Sequence, residues 1–277
     1  MTLLELIQQK KLIIAPGVFD GLSAKLDNLA GFKAIYASGG AISRSFGLPD
    51  IGLLTMTEVV NKVTEIVNMS KVPVIADIDT GFGNKINLQR TIQEFEKIGV
   101  QAVHLEDQSF PKRCGHLKNK SLISINEMQE KIQVAINTRK NKDFLIISRT
   151  DAIAVEGFNK SIFRAKKYIQ AGADMIFVEA PETYEQIIAI TKELPNCLKL
   201  INMFHGGKTP FVPTKELQNL GYNVVIIPSD LQRIAIKSMQ KALVEIQENG
   251  STSKINDELI SFQEREKIVA TTDFIVI

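Results

Sequence analysis

A short apolar, β-rich run that stops abruptly at polar or small residues, followed by a helical stretch, recurs along the whole chain. The runs are LIIAPGVFD (12–20), AIYASGG (34–40), VPVIADIDTG (72–81), AVHLEDQ (102–108), FLIISRTDA (144–152), MIFVEAP (175–181), LKLINM (198–203) and NVVIIPSD (223–230), eight in all. Four to six apolar residues without alternation suit strands buried on both faces, as in a parallel sheet. Between them, residues 54–70, 86–100, 125–140, 159–172 and 184–194 carry apolar residues at three- and four-residue spacing, as amphipathic helices do. Glycine turns in KIGVQA and QAGADM end helices just before a strand. Eight such units predict one (β/α)8 TIM barrel over residues 1–277. A doubly wound open sheet is the alternative, because strand count does not prove closure. A long helix is expected over 231–251 and a more polar one over 254–269.

Composition narrows the function classes. A net charge of +2 is too small to argue for nucleic acid or an anionic membrane as partner. Two cysteines, Cys114 and Cys197, with no Cys-x-x-Cys, exclude a disulfide framework or zinc ribbon and fit a reducing, cytoplasmic setting. No apolar run approaches a membrane span, and the N-terminus does not read as a signal peptide.

In a barrel of this kind the active site lies at the C-terminal ends of the strands. Those ends carry Tyr36, Ser38, Gly39 and Gly40, then Asp77 and Asp79, then His104, Glu106 and Asp107, then Arg149 and Asp151, then Glu179 and Asn202, with Arg233 after the eighth strand. Unpaired buried charge is costly, so this crowding asks for a reason. Asp77 and Asp79 are two residues apart, which on a strand puts both on one face. Two adjacent carboxylates repel unless a cation lies between them or one is protonated. Oxygen ligands favour Mg2+ or Mn2+ over zinc. Glu106 would complete that set, directly or through water; a salt-bridge network with Arg149 is the alternative. Ser38-Gly39-Gly40 would expose backbone N–H groups to a carboxylate or oxyanion, or be a plain tight turn. His104 reads as a core histidine, His205 lacks a partner at metal-binding spacing, and Cys197 reads as packing.

The chain resembles the isocitrate lyase/phosphoenolpyruvate mutase superfamily over nearly its whole length. The likeness rests on SGG (38–40), GLPDIG (47–52), DIDTGFG (77–83), HLEDQ (104–108), KRCGH (112–116), SRTDA (148–152), EGF (156–158), RAKKYIQAGADMIFVEA (164–180) and NMFHGGKTP (202–210). It implies a barrel whose last helix, within 231–277, packs on a neighbouring subunit, usually in a homotetramer. It implies Mg2+ near Asp77 and Asp79, and a 2-oxo or 2-hydroxy acid held by Arg149 and the Ser38-Gly39-Gly40 backbone. In the lyase branch the loop containing KRCGH closes over the site, and its cysteine exchanges a proton with a carbanion. Similarity to methylisocitrate lyases makes Glu179, Asn202, Arg233, Gly115 and His116 substrate contacts, with Arg265 a further candidate. Asp50 and Tyr36 would line the site. VEAP (178–181) and NMFHGGKTP look closer to dimethylmalate lyase, oxaloacetate decarboxylase and carboxyphosphonoenolpyruvate mutase relatives, and IPSDLQR replaces a more usual strand-eight ending.

Cys114 is then expected to do proton transfer. Hard Mg2+ prefers oxygen, no second cysteine lies near in sequence, and Lys112, Arg113 and His116 would favour the thiolate. The implied reaction is retro-aldol cleavage of a 2-hydroxy di- or tricarboxylic acid, most simply 2-methylisocitrate to pyruvate and succinate. The catalytic candidates are Cys114, Arg149 and Tyr36. A phosphonomutase or an oxaloacetate decarboxylase is the alternative enzyme, and a binding module without activity the alternative class.

Overall fold

The computed structural model describes every residue except His116, Lys118, Val276 and Ile277. Among the described residues eight parallel strands pair in chain order: β1 (Ile13–Val18), β2 (Ile35–Ala37), β3 (Val74–Asp77), β4 (Ala102–Glu106), β5 (Leu145–Thr150), β6 (Met175–Val178), β7 (Leu198–Asn202) and β8 (Val224–Ile227). β8 pairs back to β1, from Ile13 opposite Val224 to Pro16 opposite Ile227. That pairing closes the barrel and decides against the open sheet. Alternate residues face inward, among them Ile13, Ala15, Tyr36, Ile75, Ile147, Phe177 and Leu200. Their neighbours, among them Ile35, Ala76, Val103, Ile146, Ile176 and Val225, pack outward against the helices. With both faces buried, the period of two is masked and the strands read as unbroken apolar runs.

The five expected inter-strand helices are present as Met56–Met69, Lys85–Lys97, Ile125–Thr138, Phe158–Gln170 and Tyr184–Glu193. Several more were not expected, among them Leu3–Gln8, Gly21–Ala30, Gly39–Ser45 and Thr214–Leu220. The first has a full capping box, Thr2 accepting from the Glu5 N–H and Glu5 accepting in return from that of Thr2. That Thr-x-x-Glu signal was readable. Its Leu3, Leu6 and Ile7 join the barrel interior and close its floor, and the Leu3 N–H donates to Gln101 Oε1 at 2.7 Å. The second starts on an Asp20 cap and stops at Gly31, whose φ of 83° favours glycine.

The last long helix, Asp230–Asn249, buries only Gln232. Ile234, Met239, Leu243, Val244 and Ile246 stand exposed, Leu243 at 65%. The chain then returns along the barrel wall through the helix Phe262–Val269, where the Val269 carbonyl accepts from Lys25 Nζ at 3.0 Å.

Candidate active site

β3 ends at Asp77, and the chain turns sharply beyond it, with Asp79 at φ 48° and Phe82 at φ 58°. Asp79 is therefore not on the strand, and the shared-face expectation is corrected. The two carboxylates are instead brought together by the turn, where the Asp79 N–H donates to Asp77 Oδ1 at 3.0 Å. Lys131, buried on a helix behind, donates to the Thr80 carbonyl at 3.0 Å and braces the turn.

Lys112 was expected to tune a thiol; its buried ammonium instead bridges carboxylates. It lies 2.7 Å from Asp79 Oδ1 and hydrogen-bonds Asp50. Burial pushes Asp79 upward against the pull of Lys112, with Asp77 and Asp50 adding to the rise, to about 6. For Asp77 burial also pushes upward, but His104, Lys112 and Arg149 outweigh it and hold the carboxyl well below its usual range. Glu106 is 1% exposed, and neither of its oxygens has a hydrogen-bond partner among the described residues. Arg149 Nη1 stands 3.3 Å from it, and burial drives its pKa well up. Carboxylate oxygens are the donors a hard divalent cation prefers, and with Glu106 unpartnered beside the Asp77 and Asp79 carboxylates, the three fit one chemically. They do not form a finished cage: among the described residues no group of three or more His, Cys, Asp or Glu side chains converges as a ready ligand set.

His104 is fully buried, as expected of a core residue, yet it belongs to the site. Its Nε2 lies 2.5 Å from the Tyr36 hydroxyl, which donates to Asp77 Oδ2 at 3.2 Å. Tyr36 thus bridges His104 and Asp77 in one hydrogen-bonded chain. Burial, reinforced by Asp77, keeps the Tyr36 hydroxyl protonated far above its ordinary range. Ser38 caps the short helix Gly39–Ser45, so SGG is a helix start rather than a free turn. A Cβ on Gly39 would sit 2.7 Å from Asp77 Oδ2, and one on Gly40 2.9 Å from Asp50 Oδ2, so carboxylates approach this backbone closely.

The cysteine loop lies down over the barrel mouth. The Cys114 N–H donates to the Asp50 carbonyl at 3.2 Å, and Gln108 brackets Arg113 through N–H and carbonyl bonds of 2.9 and 2.8 Å. Gly115 presses so closely on Glu179 that a Cβ would collide, and that Cβ would stand 2.7 Å from Arg149 Nη2. Arg149 forks onto Asp151, Nε to Oδ2 at 2.9 Å and Nη2 to Oδ1 at 3.1 Å, over the Phe177 ring. Burial opposes ionisation of Asp151, but Arg149 and Lys120 bring it down to about 2. Asp107 secures this strand end by accepting from the Asp151 N–H, Thr150 and Tyr168 at 2.7–2.9 Å.

One cavity gathers Tyr36, Ser38, Gly40, Asp50, Asp77, Cys114, Gly115, Arg149, Glu179 and Asn202, all expected. It adds Arg44, Lys112, Phe177, Phe204, Ile226, Pro228 and Ser229. Gly39, Asp79 and Glu106 are not on its lining but touch residues that are. Arg233 is not on the lining either; it is half exposed at the rim, donating to the His205 carbonyl at 2.6 Å above the Phe204 ring. Arg265 lies outside the cavity lining, pairing with Glu266 over Phe262. His116 lies outside the described residues. Arg44 escaped notice because its helix was read as a loop.

The phosphoenolpyruvate phosphomutase family model matches residues 3–247. The chain is 42% identical over 261 residues to 2,3-dimethylmalate lyase of Eubacterium barkeri, covering 94% of this chain and 90% of that one. It is 40% identical over 274 residues to 2-methylisocitrate lyase of Aeropyrum pernix, covering 99% and 88%. A crystal structure of 2,3-dimethylmalate lyase superposes with a TM-score of 0.93 at 32% identity, covering 98% and 91%. That of phosphonopyruvate hydrolase complexed with oxalate and Mg++ does so at 0.89 and 28%, covering 99% and 97%. The chain belongs to the phosphoenolpyruvate phosphomutase family, in the isocitrate lyase/phosphoenolpyruvate mutase superfamily, and is an enzyme of its carbon–carbon lyase kind. Among the described residues no helix is long and apolar enough to cross a membrane.

Proposed function

We propose that this enzyme cleaves a 2-hydroxy di- or tricarboxylic acid by Mg2+-dependent retro-aldol chemistry, with 2-methylisocitrate, giving pyruvate and succinate, as the simplest substrate. The observation that carries this reading is that Cys114 lines the same cavity as Asp77, Arg149 and Ser38 while its loop lies over the barrel mouth. Asp77, Asp79 and Glu106 would hold the cation, which when bound lowers the pKa of the substrate hydroxyl and orients its carboxylate. Arg149 and the backbone of Ser38, Gly39 and Gly40 hold the end that becomes the 2-oxo acid. Tyr36 stays protonated and orients the hydroxyl, whose proton passes to a buried carboxylate at this strand end, Glu106 having both oxygens without a hydrogen-bond partner among the described residues. The C2–C3 bond then breaks, and its electron pair moves onto the departing acid. Gly115, Asn202, Glu179 and, from the rim, Arg233 face that acid, and Cys114 delivers a proton to its carbon. The loop excludes water.

An apolar wall of Phe177, Phe204, Ile226 and Pro228 favours a second reading, 2,3-dimethylmalate, which would yield pyruvate and propionate. Arg265 contacts substrate in neither reading within one protomer. The exposed apolar face of Asp230–Asn249 supports packing of the 231–277 segment on a second copy, in a cytoplasmic homotetramer. The test is a screen of 2-methylisocitrate, isocitrate, 2,3-dimethylmalate and oxaloacetate, with Mg2+ and after exhaustive EDTA treatment. Pyruvate from a 2-methyl-2-hydroxy acid, only with metal present, is expected. Cleavage of none of them, or full activity after chelation, would overturn the reading.

A further inference from the structure

Lys120, five residues beyond Gly115, is, like Lys112, a cation of the loop that turns inward. Its side chain is 1% exposed, although it lies in a basic surface segment. A buried ammonium is costly unless fully paired. Lys120 Nζ donates to the Gly115 carbonyl at 2.6 Å and to Asp151 Oδ1 at 2.7 Å. That same Asp151 oxygen accepts from Arg149 Nη2, while Oδ2 accepts from Arg149 Nε. One carboxylate therefore ties the loop to the substrate-facing arginine. The loop base is held by the Ser109 N–H to the Ser121 carbonyl at 2.8 Å and by an isolated bridge between Gln108 and Leu122. Lys120 sits just inside that base and reaches back to the glycine beside Cys114. Lifting the loop would take the Gly115 carbonyl from Lys120 and leave the ammonium without one of its acceptors among the described residues.

We propose that Lys120 is a positioning residue that latches the Cys114 loop down and, through Asp151, sets Arg149 in its working posture. Its catalytic consequence rests on the lyase reading above; the latch itself does not. The experiment compares wild type, Lys120→Met and Lys120→Arg. It follows iodoacetamide labelling of Cys114 by peptide mass, with Cys197, packed at the far end of β7, as internal reference. Melting temperature, kcat and KM are measured on the same samples. Lys120→Met should speed Cys114 labelling about tenfold or more relative to Cys197, because one partner of a buried pair is gone. Its kcat should fall more than its KM rises, and Lys120→Arg should recover part of both. Unchanged Cys114 labelling would overturn the latch. So would labelling of both cysteines rising together as the melting temperature drops, the mark of a merely structural pair. Lys120→Gln keeps a donor for the Gly115 carbonyl but no charge for Asp151, and is read the same way where the Met variant does not fold. Absence of lyase activity in the wild type would remove the proposed reaction, while the labelling contrast would still decide the latch.

Discussion

At the N-terminal end of the barrel Leu3, Leu6 and Ile7 close the strands with apolar side chains, whereas at the C-terminal end Asp77, Glu106, Arg149, Asp151 and Glu179 crowd together at 8% exposure or less. The polar groups of the floor are satisfied. Gln101 caps the Leu3 N–H, and buried Lys199 donates to the Leu194 and Cys197 carbonyls at 2.9 and 2.7 Å. The mouth tolerates what the floor avoids: a buried Glu106 carboxylate without a hydrogen-bond partner among the described residues, and neighbouring carboxylates driven in opposite directions. Unpaired charge held in place by a rigid scaffold marks the end built for chemistry.

Glu106→Gln should separate the two ends most widely. The amide keeps the shape of a carboxyl whose burial already favours the neutral form. Turnover should drop by about 100-fold or more, since even groups behind a metal ligand cost 10–100-fold when changed. The melting temperature of the metal-free protein should stay level or rise; a clear fall, or intact turnover, would break the contrast. Leu3→Ala is the reverse experiment. It should cost about 2–5 kcal/mol in denaturant unfolding while kcat stays unchanged. Loss of kcat in the still-folded variant would show that floor and mouth are not separable.

Asp27 belongs to neither end. It is 3% exposed on the helix Gly21–Ala30, its oxygens have no hydrogen-bond partner among the described residues, and burial raises its pKa from 3.8 to about 7. Below about pH 4 both folded and unfolded chains are protonated there, and nothing is lost. As pH rises toward 7 the unfolded chain ionises first, so stability falls, and above 7 the deficit is constant. Asp27→Asn should therefore add little at pH 4 and about 1–3 kcal/mol above pH 7, with turnover unaltered. A stability gain independent of pH would remove the titration account. Altered turnover would mean that orphaned carboxylates matter beyond the mouth.

The barrel was legible because each strand is buried on both faces and leaves an unbroken apolar run. The short helices Gly39–Ser45 and Thr214–Leu220 were not, since seven residues hold barely two turns of periodicity. A good part of the cavity lining could be named from strand ends alone, as Tyr36, Asp77, Arg149, Glu179 and Asn202 show, while Asp50 and Gly115 came only with the family resemblance. What local spacing could not carry was pairing across the fold. Lys112 finds Asp50 sixty-two positions away, and His104 meets Tyr36 across sixty-eight. Asp79 was placed beside Asp77 by strand geometry, but a left-handed turn does that instead.

The central claim is that Cys114 protonates carbon inside a closed cavity, and Cys114→Ser tests it most directly. Serine keeps the size of the side chain, but its hydroxyl is far too weak an acid. With the substrate found by the screen, kcat should fall by about 10²–10⁴-fold, the range of a positioned acid–base group, while substrate affinity and melting temperature hold. An unchanged kcat, or a loss of activity matched by a loss of stability, would contradict the account.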